Sequence, residues 1–421
     1  MLITDIEVHL IHPRLQDFNA ADIVRYHGST FQARTIFVMH TDTGLQGLGE
    51  TLGPVLNIDQ LRERYIGTNP FDWVNSEIDL PLNMATYDLM GKSLDVPAWK
   101  LMGHKVRSWV PVCAWTVALE PKAMAEEVKQ AVQGGYRWIK FHTGEVQNVI
   151  DQTEAMQEVA PAGFKIHYDF NANSDSYTMR SILSELEKFT VAGRFEDVVE
   201  AVDEDGYRML REHSSLPIIV HHGPPEFMIK GIVDGYMAGH APIGSALKAS
   251  AVAEMTKTPF MLQQCGGFIN RAFLAHQVAV MRMATIDHVD ICHLWKEDVT
   301  VQSLGVVSGS VQVPEGPGLG VELDRNKLER CINEPFEPPP SLVRVSHGDG
   351  LKVYVRHNPN LPGCNDNLRF YDRLHGFFVP GPEPSYANKV VCDFWEGDDN
   401  PEKFKLLWEK TASGPIWTND E

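Results

Sequence analysis

The chain lacks several marks of common function classes. Its six cysteines are scattered with no CxxC spacing, which argues against a disulfide framework or a thiolate zinc site and for free thiols in a reducing compartment. No stretch approaches the roughly 20 apolar residues needed to cross a bilayer. No basic stripe with interleaved aromatics occurs, and 37 Lys and Arg stand against 56 Asp and Glu for a formal charge of -19. Such a surface repels phosphate backbones, so neither nucleic acid nor a membrane is an expected partner. A small anionic substrate stays possible, because a cation in a site can dominate the local field. No GxGxxG follows the first strand of the central region, which disfavours a dinucleotide-binding sheet. The opening MLITDIEVHLIHPR carries Asp5 and reads as a strand, not a signal peptide, so a cytoplasmic location is expected.

What is present divides into three zones. Residues 1–108 begin with alternating runs, ITDIEVHLI and TIFVMHTD, then a Thr43-Gly44 turn, and continue into a helical region from about Asn57 to Leu101. Period-two alternation with turn chemistry predicts an antiparallel meander in a small α+β domain. Over 109–330, short apolar runs (VPVCAW, RWIKFH, KIHYDF, RFEDVV, PIIVHH, GYMAGH, FMLQQC, HVDICH) alternate with helical segments such as PKAMAEEVKQAVQGG and TMRSILSELEKF. Eight strands alternating with helices predict an α/β fold, a (β/α)8 TIM-type barrel, with a doubly wound open sheet as the alternative. Residues 331–421 open on Pro-rich EPFEPPPS and continue with LVRVSHGDGLKVYVRH, read as a hairpin, and PEKFKLLWEK, read as a helix. They form an extension expected to pack on the barrel or on a neighbouring subunit.

In a TIM-type barrel the active groups lie at the C-terminal ends of the strands. Those ends carry Lys140 and His142 on strand two, Asp169 and then Asn171 on strand three, Glu196 and Asp197 on strand four, and His221-His222 on strand five. His240, Gln263 and His293 fall at the ends of strands six, seven and eight. Asp, Glu and His avoid burial unless paired or metal-bound. Asp169, Glu196 and His222 come from three successive strands, and a ring of O and N donors spaced by one β/α unit can hold a hard divalent cation. Alternation turns His221 toward the barrel wall, as a structural residue. Lys140 and His142 share a face and offer two candidate bases.

These segments also resemble a known family. ATYDLMGKSLDVPAWKLMG (85–103) looks like the end of the capping domain in the mandelate racemase and muconate lactonizing branch of the enolase superfamily. TDTGLQGLGE (41–50) resembles that domain's T-x-x-G-x-x-G-x-G-E turn, and VPEGPGLGVELD (313–324) its closing strand. The resemblance covers about residues 1–330 and implies a modified enolase-type barrel under an N-terminal capping domain. It implies metal ligation by Asp169, Glu196 and His222, where His replaces the usual third carboxylate, and catalysis by the Lys140-Phe141-His142 segment, where the family has Lys-x-Lys. The usual Asp and His after strands six and seven fall near His240 and at Gln263, and His293 lies near the place of a strand-eight Glu. Arg25, Tyr26 and His27 lie in the capping loop that closes over substrate; with Asn171 and Gln263 they are the expected substrate contacts.

The implied chemistry is removal of the proton next to a carboxylate, with Mg²⁺ stabilising the enediolate and a Lys or His as base. A cation beside Lys140 would lower its pKa and improve it as a base. The leading expectation is a metal-dependent lyase that dehydrates a sugar acid to a 2-keto-3-deoxy acid, using Lys140, His142, His240 and His293. A racemase, epimerase or cycloisomerase of a carboxylate is the alternative within catalysis; a barrel retained only for binding or assembly is the alternative outside it. Family habit and the aromatic-rich tail favour a homo-oligomer.

Overall fold

The computed structural model describes residues 1–143, 148–172, 174–348, 350–356 and 390–419. The aromatic- and turn-rich part of the extension, 357–389, lies outside the described residues. The first zone is a three-stranded antiparallel sheet, β1 (Ile3–Ile11), β2 (Arg34–Thr41) and β3 (Gln46–Leu52), with helix α1 (Ala20–His27) between its first two strands. The helical region expected from Asn57 to Leu101 is split into α2 (Ile58–Tyr65), α3 (Leu80–Leu94) and short turns. Pro70 and Pro81 start new segments there, since proline fits a first turn and not a helix interior.

The barrel strands are β4 (Trp109–Thr116), β5 (Trp138–His142), β6 (Lys165–Asp169), β7 (Ala192–Glu196), β8 (Ile218–Val220), β9 (Gly235–Gly239), β10 (Phe260–Gln263) and β11 (His288–Val289). Each pairs in parallel with the next, and β11 pairs with β4, closing the sheet. The apolar runs are therefore buried on both faces. β12 (Ser310–Gln312) adds antiparallel to β4. In the extension, β13 (Leu342–His347) and β14 (Leu351–Arg356) pair antiparallel and are flanked by β15 (Val390–Trp395) and β16 (Ile416–Asn419). Among the described residues no helix is long and apolar enough to cross a membrane.

Three buried polar contacts lock the cap to the barrel. Asp88 on α3 accepts from the Leu48 N–H (3.0 Å), the Leu319 N–H (2.8 Å) and Lys92 Nζ (2.6 Å), so one carboxylate joins α3, β3 and the segment after β12. Gly91 lies so close to Gly318 that a Cβ on it would meet the Gly318 backbone, and Gly318 itself has φ +67°. Glu50 on β3 accepts from the Gly267 N–H (2.8 Å) and the Asn270 N–H (3.1 Å) at the start of helix Phe268–Val280, and pairs with buried Arg34 at 2.6 Å. A carboxylate at a helix N-terminus meets free donors and the positive end of the dipole. The cap is thus fixed over the C-terminal ends of the barrel strands.

Candidate active site at the barrel mouth

Parallel register sets the site. His142, Asp169 and Glu196 are direct partners across β5, β6 and β7, so three strands end on one level. One layer deeper, fully buried Lys140 sends Nζ to Asp169 Oδ2 (2.9 Å), Glu196 Oε1 (2.8 Å) and Gln263 Oε1 (3.1 Å). Burial alone would lower the lysine pKa, but Asp169 and Glu196 outweigh it and hold the ammonium above its ordinary range. In the protein alone, the direction is the reverse of that expected beside a cation. Burial pushes Glu196 up, and the Asp169 charge adds to it; for Asp169, Lys140 and His142 overcome burial and hold the carboxyl below its ordinary value.

Asp197 completes this group. It is buried with φ 45°, its Oδ1 accepts from the His221 N–H at 2.7 Å, and its Oδ2 has no hydrogen-bond partner among the described residues. Burial and then the Glu196 and Asp169 charges raise its pKa well above the carboxylate norm. Oxygens of Asp169, Glu196 and Asp197 lie within 4.8 Å of one another, and the first two residues pair with the Lys140 ammonium. Three carboxylates, one ammonium and an orphaned buried oxygen match a hard divalent cation in charge and donor type.

The two strand-five histidines are placed opposite to expectation. His222 does not turn in beside Asp169 and Glu196: its side chain is 69% exposed, with Nε2 3.9 Å from Asp197 Oδ2. His221, expected against the wall, is half-buried with Nδ1 3.6 Å from Glu196 Oε1. The reason is that β8 ends at Val220, so strand alternation no longer governs either residue, and the Asp197 carboxylate holds the His221 backbone. Asp197, His221 and His222 do form a second group within 4.8 Å.

A cavity of about 870 Å³ opens above, lined by His142, Asp169, Asn171, His221, His240 and Gln263 among others. A second lobe of about 330 Å³ shares His142, His240 and Gln263 and adds His27, Phe31 and Trp115. His142 Nε2 lies 3.3 Å from Asp169 Oδ2. His240 follows β9, four strands round the barrel from β5, so the two imidazoles face the cavity from opposite sides. The Asn171 N–H donates to Asp169 Oδ1 at 3.0 Å. His27 stacks on Phe31 with ring centroids 4.3 Å apart, near His142 at 6.3 Å.

Three expected site residues are directed elsewhere. His293 Nε2 sits 2.8 Å from the Trp115 carbonyl, away from the main cavity, and burial lowers its pKa to about 4. β11 has only two residues and Ile291 turns the chain at φ 56°, so His293 is carried past the mouth. Buried Arg25 pairs with Glu396 (2.5 Å) and the Pro339 carbonyl (3.0 Å), and Tyr26 packs edge-on against Phe394 at 5.1 Å. Both point into the C-terminal extension, not the cavity. Sequence reasoning also missed Asp197 as a member of the carboxylate group, and His167, which lies 2.6 Å from Glu196 Oε2. His167 was detectable as an inward-facing position two residues before Asp169.

Residues 123–327 match the family described as enolase C-terminal domain-like. The chain is 25% identical over 288 residues to a D-gluconate dehydratase of Thermoproteus tenax, covering 61% of this chain and 56% of that protein. It is 25% identical to a D-xylonate dehydratase of Haloferax volcanii, covering 70% and 84%. Among solved structures, a dipeptide epimerase from Cytophaga hutchinsonii complexed with Mg and D-Ala-L-Val superposes with a TM-score of 0.63 at 20% identity, covering 79% of this chain and 100% of that one. A closed parallel barrel with a separate antiparallel sheet is a fold this chain shares with that solved structure. Over residues 123–327 the chain thus resembles the barrel domain of the mandelate racemase and muconate lactonizing branch of the enolase superfamily.

Proposed function

We propose that this protein is a metal-dependent lyase that takes the proton α to a carboxylate and dehydrates a sugar acid to a 2-keto-3-deoxy acid. The observation that carries the reading is the buried group of Asp169, Glu196 and Asp197, of which Asp169 lines the cavity beside His142. In this reading Asp169, Glu196 and Asp197 hold Mg²⁺. Such a cation, when bound, supplies a Lewis acid that draws off charge building on the substrate carboxylate.

His142 is the base: it lines the cavity, whereas Lys140 lies beneath it with its ammonium engaged by two carboxylates. Lys140 then acts as a fixed positive charge near the substrate carboxylate. The α C–H bond breaks with its proton passing to His142, and the β C–O bond breaks as its hydroxyl takes a proton from His240 and leaves as water. The resulting enol tautomerises to the 2-keto acid. Asn171, Gln263 and His27 are the substrate contacts.

Two imidazoles on opposite sides of one cavity also favour a second reading, epimerisation, in which the proton is returned on the other face. The test is a panel of acid sugars with Mg²⁺ in D₂O, followed for 2-keto acid and for α-deuterium. Keto acid supports the lyase; α-deuterium with inverted configuration and no keto acid moves the reading to epimerase; neither product from any carboxylate removes both. Homo-oligomer formation belongs to the same reading and is checked by sedimentation.

A further inference from the structure

Below the carboxylates, the barrel interior is unexpectedly polar. Lys140, His167 and Arg194 are register partners across β5, β6 and β7 and form one layer directly beneath His142, Asp169 and Glu196. His167 is fully buried and Arg194 nearly so. Arg194 Nε donates to His167 Nδ1 at 3.0 Å, Arg194 Nη1 pairs with Asp287 Oδ2 at 2.9 Å, and the guanidinium lies 3.9 Å from the Trp138 ring centroid. On the other side of the imidazole, Nε2 lies 2.6 Å from Glu196 Oε2.

The direction of this chain is set by donor chemistry. A guanidinium has donors and no acceptor, so His167 Nδ1 must be the acceptor. The neutral ring then carries its hydrogen on Nε2, 2.6 Å from Glu196 Oε2 but not aligned with it as a hydrogen bond. Glu196 therefore has Lys140 hydrogen-bonded at Oε1 and the His167 ring in close contact at Oε2, an atom with no aligned donor among the described residues. Stability alone does not account for this, because replacing buried charged networks by well-packed apolar groups is often neutral or stabilising.

We propose that His167, locked in one tautomer by Arg194 and Asp287, is a positioning residue that aims the Glu196 carboxylate at the bound metal. The inference rests on the reading of Glu196 as a metal ligand. Outer hydrogen bonds to ligands are typically worth about 10- to 100-fold in metal affinity.

The experiment is titration of the full chain with Mg²⁺, and with Mn²⁺ followed by its EPR signal, alongside thermal melts without metal. The variants are Glu196→Gln, the double apolar variant His167→Leu with Arg194→Met, and His167→Gln, whose amide can accept from Arg194 and donate to Glu196. The parent binds and Glu196→Gln does not. The double variant melts at or above the parent temperature yet binds about 10- to 100-fold more weakly, and His167→Gln recovers most of the loss. Parent-like metal affinity in the double variant, or in both it and His167→Gln, overturns the positioning role while leaving Glu196 as ligand. Equal binding by the parent and Glu196→Gln, or binding by neither, overturns the ligand reading and the inference with it.

Discussion

Asp197 combines an unusual backbone conformation with charge repulsion from its neighbours. It is a non-glycine residue at φ 45°, buried beside two other carboxylates, with one oxygen orphaned among the described residues. Such a placement costs free energy unless a cation compensates it. Asp197→Asn is therefore expected to raise the melting temperature of the metal-free protein while weakening Mg²⁺ binding by at least tenfold; calorimetric titration and a melt check both halves. At this scale Asp169 and Glu196 were legible, because strand period and β/α spacing alone bring them to one level. His222 was not, because alternation ends with β8 at Val220, two residues before it. Nor was the reversal of Lys140, whose titration depends on burial and on Asp169 and Glu196 from two other strands.

Helix α1 links the cavity to the C-terminal extension. Its Arg25 and Tyr26 face Glu396 and Phe394, while His27 faces Phe31, Trp115 and the cavity. Gln32, just beyond the helix, exchanges two hydrogen bonds with the Phe336 backbone, at 2.8 and 2.9 Å. The extension thus grips the segment that supplies one wall of the smaller lobe. Glu396→Ala leaves Arg25 buried with one partner fewer, a cost of about 1–3 kcal/mol. The expected result is faster amide exchange over residues 20–32 and weaker substrate binding, with Mg²⁺ affinity unchanged. The barrel and the cap meander were readable from period and turn chemistry. The facing of α1 was not, since consecutive helical residues point about 100° apart and only the distant extension decides which side is covered.

Over the whole molecule, stability is tied to pH by buried neutral histidines. Burial lowers His276 to about 4 and His288 to about 3. His276 accepts from the Trp99 N–H at 3.3 Å and contacts the Leu319 carbonyl at 3.1 Å, joining the end of the cap to the closing segment. His288 accepts from the Leu262 N–H at 2.8 Å. A histidine lowered on folding binds fewer protons than its unfolded counterpart, so its stabilisation is complete above about pH 6.5 and is lost as pH falls toward the folded value. Each is expected to cost roughly 1 kcal/mol near pH 5.5. Melts between pH 7.5 and 4.5 should show falling stability, with a shallower slope in His276→Gln. Metal adds the opposite effect: Mg²⁺ at about 100 times its Kd should stabilise the fold by about 2.7 kcal/mol.

In the proposed reaction His142, beside the three buried carboxylates, moves the proton α to a substrate carboxylate. The most direct measurement is loss of the α-proton NMR signal from an acid sugar in D₂O with Mg²⁺, comparing the parent with His142→Asn. Exchange or elimination by the parent and a loss of about 10²–10⁴-fold in the variant are expected. Equal rates in the two proteins would contradict that role.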